Sequence, residues 1–133
     1  MSNTTTDSVR VVIFNAENPD QFLVLAETDD PENWKLPGGK FNSTDETPQA
    51  AAERELREEL GLDSANASLH QVAELTNDDG VSARYIFAAT AGSADVIPSG
   101  EIAGTQWVSD TTIPDSPNKG HMQSAVAAAR QTA

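Results

Sequence analysis

Residues 46–62 read ETPQAAAERELREELGL. Thr47 has the side chain of a helix N-cap, and Pro48 suits a first helical position, where no amide hydrogen is needed. From Gln49 to Leu60 nearly every residue favours helix, and Gly61 stops it, as glycine does just past a helix end. Ala52, Leu56 and Leu60 recur at i and i+4 and form a stripe for the core. Glu55, Glu58 and Glu59 stand at i, i+3 and i+4, so the spacing crowds three carboxylates onto one face. Like charges so placed destabilise a helix. Arg54 precedes Glu58 by one turn and can pair with it, but one arginine does not neutralise three glutamates. Taken alone, such a helix reads as a solvated charged face.

Upstream lies Pro37-Gly38-Gly39. A Gly-Gly corner leaves backbone carbonyls and amides approachable, because no Cβ covers them. Hard divalent cations prefer oxygen ligands, and magnesium shares its sphere among carboxylates, water and substrate phosphates. A carboxylate cluster beside bare backbone therefore makes a site for metal-bridged phosphates.

Outward from this segment the chain alternates strand patterns with turns. Residues 9–15 (VRVVIFN) and 22–26 (FLVLA) read as buried strands. Asn18-Pro19-Asp20 between them reads as a turn. Trp34-Lys35-Leu36 is short and extended, since Leu36 precedes a proline. Residues 68–75 and 81–90 form a second strand pair around the hairpin signal Asn77-Asp78-Asp79-Gly80. Residues 105–109 (TQWVS) give a further strand. Pro114, Ser116 and Pro117 mark a loop, and about 119–131 is an alanine-rich helix. The order is strands, glutamate helix, strands, terminal helix, which implies an α/β fold with a sheet flanked by helices.

The chain has 133 residues, of which 38% are hydrophobic, enough for a single domain over residues 9–133 after a polar, flexible lead at 1–8. That lead lacks the apolar stretch of a signal peptide, and no apolar run approaches membrane-spanning length. The expectation is a cytoplasmic protein with no membrane partner. Cysteine is absent, which removes disulfides, thiolate metal sites and cysteine nucleophiles. There are 21 acidic residues against 8 basic, a net charge of -13. No basic cluster offsets this, so nucleic-acid polymers are excluded as partners. The acidic surface reads either as ordinary solvation or as adaptation to high salt, which screens the repulsion. Oligomeric state, monomer or dimer, is left open.

Gly39, Glu46 and the run Arg54-Glu55-Leu56-Arg57-Glu58-Glu59-Leu60-Gly61-Leu62 resemble the signature of the Nudix hydrolase family, G-x5-E-x7-R-E-U-x-E-E-x-G-U with U aliphatic. Every specified position from Glu46 onward matches. The one departure is six residues rather than five between Gly39 and Glu46, an insertion in a loop where length matters little. Trp34 to Lys40 resembles the family's approach to this signature. Residues 101–109 (EIAGTQWVS) resemble its later acidic residue and Trp-containing strand.

The resemblance implies a Nudix-type α/β/α sandwich: a mixed sheet flanked by the glutamate-rich helix and a C-terminal helix. It implies metal-dependent hydrolysis of the diphosphate linkage of a nucleoside diphosphate derivative. The favoured substrate is a (deoxy)nucleoside triphosphate, oxidised purines included, with monophosphate and pyrophosphate as products. The alternatives are ADP-ribose or a dinucleoside polyphosphate, and, in another class, a non-catalytic nucleotide sensor. Mg2+ or Mn2+ would be held by Glu55, Glu58, Glu59 and the carbonyl of Gly38, with Glu55 or Glu101 as general base. Gly39, Lys40, Arg84 and Asn118 are expected on the substrate, and Glu46 with Arg54 as structural support. In the branch that removes oxidised purine nucleotides, an asparagine placed like Asn118 reads the base edge; helix capping is the other reading of that residue. Trp34 and Trp107 read as core residues of short strands, with stacking on a base as the other reading. His70 and His121, without companion ligands, are not expected on a metal.

Overall fold

A computed structural model describes residues 7–43, 46–63, 67–77 and 79–131. The strands are β1 (Ser8–Asn15), β2 (Asn18–Glu27), β3 (Asp30–Lys35), β4 (Gly38–Lys40), β5 (Ser68–Thr76), β6 (Ala83–Ala91) and β7 (Ile102–Val108). The helices are α1 (Pro48–Leu60) and α2 (Lys119–Gln131). Together the strands form one seven-stranded sheet with the path β3-β2-β1-β6-β5, to which β4 adds beside β1 and β7 beside β2. β1 and β6 run parallel, from Ser8 against Arg84 to Asn15 against Ala91, and every other pair is antiparallel. The sheet is therefore mixed.

Alternation along β1 sends successive side chains to opposite faces. Val9, Val11 and Ile13 join Leu23, Leu25 and Phe87 under Ala51, Ala52, Leu56 and Leu60 of α1. Val12 joins Phe22, Val24, Ile86 and Ala88 under Met122, Ala125, Val126 and Ala129 of α2. Two cores on one sheet give the α/β/α sandwich. Trp107 packs against the first core and Trp34 against the second, each half-buried at its edge.

The α1 boundaries fall where the sequence puts them. Thr47 accepts from the Ala50 amide, Pro48 opens the helix, and Gly61 closes it at φ 66°. Several local readings shift. The short extended stretch is Asp30–Lys35 and ends before Leu36, and Gly38–Lys40 of the glycine corner is itself a strand against β1. The first turn is at Ala16 and Glu17, not at Asn18-Pro19-Asp20, and β2 already begins at Asn18. There the Asn15 side chain accepts from the Glu17 amide at 2.9 Å, so an asparagine turn reverses the chain before the proline is reached. β6 begins at Ala83 and not at Val81, because Asp79 accepts from the amides of both Val81 and Ser82. β7 runs from Ile102 to Val108, and Ser109 turns away to donate its amide to Thr112.

The polar lead at 1–8 falls largely outside the described residues, at 1–6; Asp7 accepts from the Ala83 amide and Ser8 already lies in β1. Thr44 and Asp45 of the longer loop, and Asp78 of the hairpin signal, also lie outside them. Among the described residues no helix is long and apolar enough to cross a membrane.

Candidate active site

The glutamates of α1 part company in their surroundings. Glu59 is only 5% exposed and accepts from the Gly38 amide at 3.0 Å. The Glu55 side chain is 12% exposed and that of Glu58 53%. Gly39 lies against Glu55 so closely that a Cβ there would stand 2.5 Å from Glu55 Oε2. Gly38 holds φ 140°, and a Cβ on it would meet the Val9 carbonyl oxygen at 2.1 Å. Gly38 is thus required for steric reasons, to pass over β1, while a side chain at Gly39 would have to displace the Glu55 carboxylate. The Gly-Gly corner and the helix form a single unit.

Burial pushes the Glu59 carboxyl up to about 8; the Gly38 amide opposes this and the neighbouring Glu55 adds to it. Burial also raises Glu55, against the pull of Arg54, with repulsion from Glu58 behind it. Arg54 gathers the exposed side of the cluster. Its Nε donates to Glu46 at 2.7 Å and its two terminal nitrogens reach Glu46, Glu55 and Glu58 at 3.1–3.3 Å, while one also donates to the Lys40 carbonyl. Glu46 in turn accepts from the Asn42 amide, and its bond to Arg54 holds its carboxyl below the usual range. Glu46 and Arg54 therefore tie the loop to the helix.

Among the described residues no three histidine, aspartate or glutamate side chains stand together as a ready-made metal cage. The donor set still fits a hard divalent ion. It consists of oxygens alone, and its two least exposed carboxylates, Glu59 and Glu55, repel one another.

On the α2 face, alternation sends Arg10 and Arg84 toward the helix instead of another apolar residue. A cavity of about 200 Å³ opens there, lined by Arg10, Lys35, Asn77, Arg84, Asn118 and His121 among others. Three of the chain's 8 basic residues thus meet at one place in a protein of strongly negative charge. Arg10 donates to the Leu36 carbonyl at 3.0 Å. Its burial lowers its pKa, against the pull of Glu59, Glu55 and Glu27, so the cavity lies within electrostatic reach of the glutamates. Lys35 pairs with Glu27 at 2.7 Å. Arg84 donates to Asn77, while its buried Nε has no partner.

Arg84 and Asn118 are brought together in this cavity. Lys40 is exposed at the end of β4. Glu101 is exposed and shares a shallow groove with Glu27, Thr28 and Asp29. Sequence reasoning passed over Arg10, Glu27, Lys35 and the lining role of His121. Arg10 carried a signal: it is the one charged residue in an otherwise apolar strand run.

A family model, NUDIX domain, matches residues 4–129. No curated protein matches the sequence. Among solved structures, an Ap4A hydrolase from C. elegans is similar with TM-score 0.76 at 20% identity, over 95% of this chain and 97% of that one. A dihydroneopterin triphosphate pyrophosphohydrolase from E. coli gives 0.75 at 20% identity, over 100% of both chains. An ADP-ribose pyrophosphatase from Streptococcus suis gives 0.73 at 22% identity, over 97% and 92%. At such identities the likeness is one of fold.

Proposed function

The chain belongs to the NUDIX family of hydrolases, and from that premise we propose that it cleaves a (deoxy)nucleoside triphosphate to the monophosphate and pyrophosphate. The observation that carries this reading is the pairing of mutually repelling carboxylates, buried Glu59 and half-buried Glu55, at the Gly38-Gly39 corner with an adjoining cavity rich in cationic donors. The first suits the metal-bridged diphosphate, the second the rest of a nucleotide. Glu55, Glu58, Glu59 and the Gly38 carbonyl would hold Mg2+ or Mn2+, which neutralises phosphate charge and lowers the pKa of the attacking water. Glu46 and Arg54 keep the helix and the loop in register. Water attacks phosphorus, the anhydride P–O bond breaks, and the water proton passes to Glu55 or Glu101. Gly39, bare of a side chain and packed against Glu55, meets the diphosphate. Lys40 meets phosphate at the rim, and Arg84 and Asn118 meet the nucleoside end.

The test is release of pyrophosphate or phosphate across a panel of nucleotides, oxidised guanine triphosphate included, with Mg2+ and with Mn2+. Efficient turnover of a triphosphate, lost on chelation, is expected. Preference for ADP-ribose or a dinucleoside polyphosphate would move the substrate assignment. Tight nucleotide binding without turnover would make the chain a sensor. Within the enzyme, Glu101→Gln separates the two bases: if Glu101 takes the proton, kcat falls more than KM rises.

A further inference from the structure

Asn118 does not face the cavity with a free amide. Its Nδ2 donates to Asn33 Oδ1 at 2.8 Å and to the Trp34 carbonyl at 3.3 Å. Asn33 in turn donates its own Nδ2 to Asp30 Oδ2 at 2.9 Å. The direction of this chain is fixed by its far end. An ionised carboxylate only accepts, so Asp30 turns the nitrogen of Asn33 toward itself. The oxygen of Asn33 is then left for Asn118, and Asn118 must answer with its nitrogen. Both hydrogens of that nitrogen are engaged, and the open group is the carbonyl Oδ1. A second tie supports the placement: Ser116 Oγ donates to the Trp34 carbonyl at 2.8 Å and accepts from the Asn118 amide at 3.1 Å.

We infer that the relay Asp30–Asn33–Asn118 locks the polarity of the cavity, so that Asn118 presents an acceptor and the ligand group it meets is a hydrogen-bond donor. Asn33 and Asp30 are positioning residues: they act on the ligand only through Asn118. The cavity then shows donors from Arg84 at one place and one oriented acceptor at another, and a base with the opposite arrangement leaves buried groups unpaired. This rests on the nucleotide occupying this cavity.

The test has two arms. The first reads the side-chain amide of Asn118 by NMR in the intact, ligand-free protein. Slowly exchanging, well-separated Nδ2 protons are expected in the wild type, becoming fast in Asn33→Leu. Fast exchange in the wild type would overturn the lock. The second arm is a cycle of Asn33→Leu, Asn118→Ala and the double variant, read as the ratio of kcat/KM for inosine triphosphate over its N1-methyl derivative, which lacks the ring N–H. Asn33→Leu should lower that ratio about tenfold, the size of one ordinary hydrogen bond, through KM. It should have no effect once Asn118 is alanine. An equal effect in both backgrounds would make Asn33 merely structural and end the proposal. If the wild type turns over no nucleotide, the functional reading fails while the first arm still decides the relay.

Discussion

α1 and α2 are both thirteen residues long and each covers one face of the same sheet. α2 buries only Met122, Ala125, Val126 and Ala129, all apolar. α1 buries Ala51, Ala52, Leu56 and Leu60 in the same way, but adds Glu59. For folding alone the fifth position is a loss, because burying a carboxylate disfavours its charged form. The difference separates two demands on one helix type. α2 buries apolar side chains alone and lends His121 to the edge of the cavity, while α1 packs in the same way and also buries a carboxylate among like charges.

The sharpest way to break this contrast is Glu59→Gln. Turnover should fall roughly a thousandfold, as for other groups that stabilise charge in the reacting complex, in a steady-state assay. Metal-free stability should move the other way, and with pH. Below about pH 4 the carboxyl of Glu59 is protonated in the folded and unfolded chain alike. As pH rises, the unfolded chain ionises first while the folded one resists up to about 8, so wild-type stability falls across that window. Glu59→Gln should therefore melt like wild type at pH 4 and higher at pH 8, by an amount on the order of a few kcal/mol. An equal shift at both pH values would mean that the buried charge is not the cause.

Leu56→Ala and Met122→Ala form the next pair, one from each helix. Each should lose about 2–5 kcal/mol in urea denaturation, since both side chains are buried, at 2% and 1% exposed. A large loss in only one would show that the two faces are not equally packed. Asn118→Ala should then shift the preference between purine and pyrimidine triphosphates by about 1–3 kcal/mol, while metal-dependent hydrolysis persists. An unchanged preference with a lower Tm would reduce Asn118 to a brace between α2 and β3. The smallest effect is at the start of α1. Thr47→Ala should remove about 1 kcal/mol, through the lost bond to Ala50, and leave kcat unchanged. A loss of kcat there would tie the helix start to the reaction.

What the sequence made legible was local. The caps of α1, its apolar stripe and its glutamates lie within a few residues of one another, and helical geometry relates them directly. Most strands declared themselves by apolar runs, though β3 (DPENWK) and β4 (GGK) did not, and ends were displaced where an asparagine or aspartate side chain captured backbone amides, as Asn15 and Asp79 do. The Glu46–Arg54 tie was legible because the two residues belong to one signature. The cavity was not. Arg10, Lys35, Arg84 and Asn118 come from four separate segments, and strand periodicity does not say which strands are neighbours. Nor does it say that Asn118 would turn its nitrogen to Asn33, a contact made across 85 positions. The Glu59–Gly38 bond belongs to the same class: it needs the helix and the β4 edge already in place.

The parallel pairing of β1 with β6 has a consequence in time. During synthesis the chain emerges from its N-terminal end, and β1 can meet β2 and β4 early, but its parallel neighbour only after α1 and β5 have been made. Long-range parallel pairing is slow to form, because a large loop must close before any contact rewards it. Arg10 on β1 and Arg84 on β6 therefore come together late, and the cavity they share is among the last parts of the molecule to exist. A nascent chain released before β6 would carry the whole glutamate helix without that cavity.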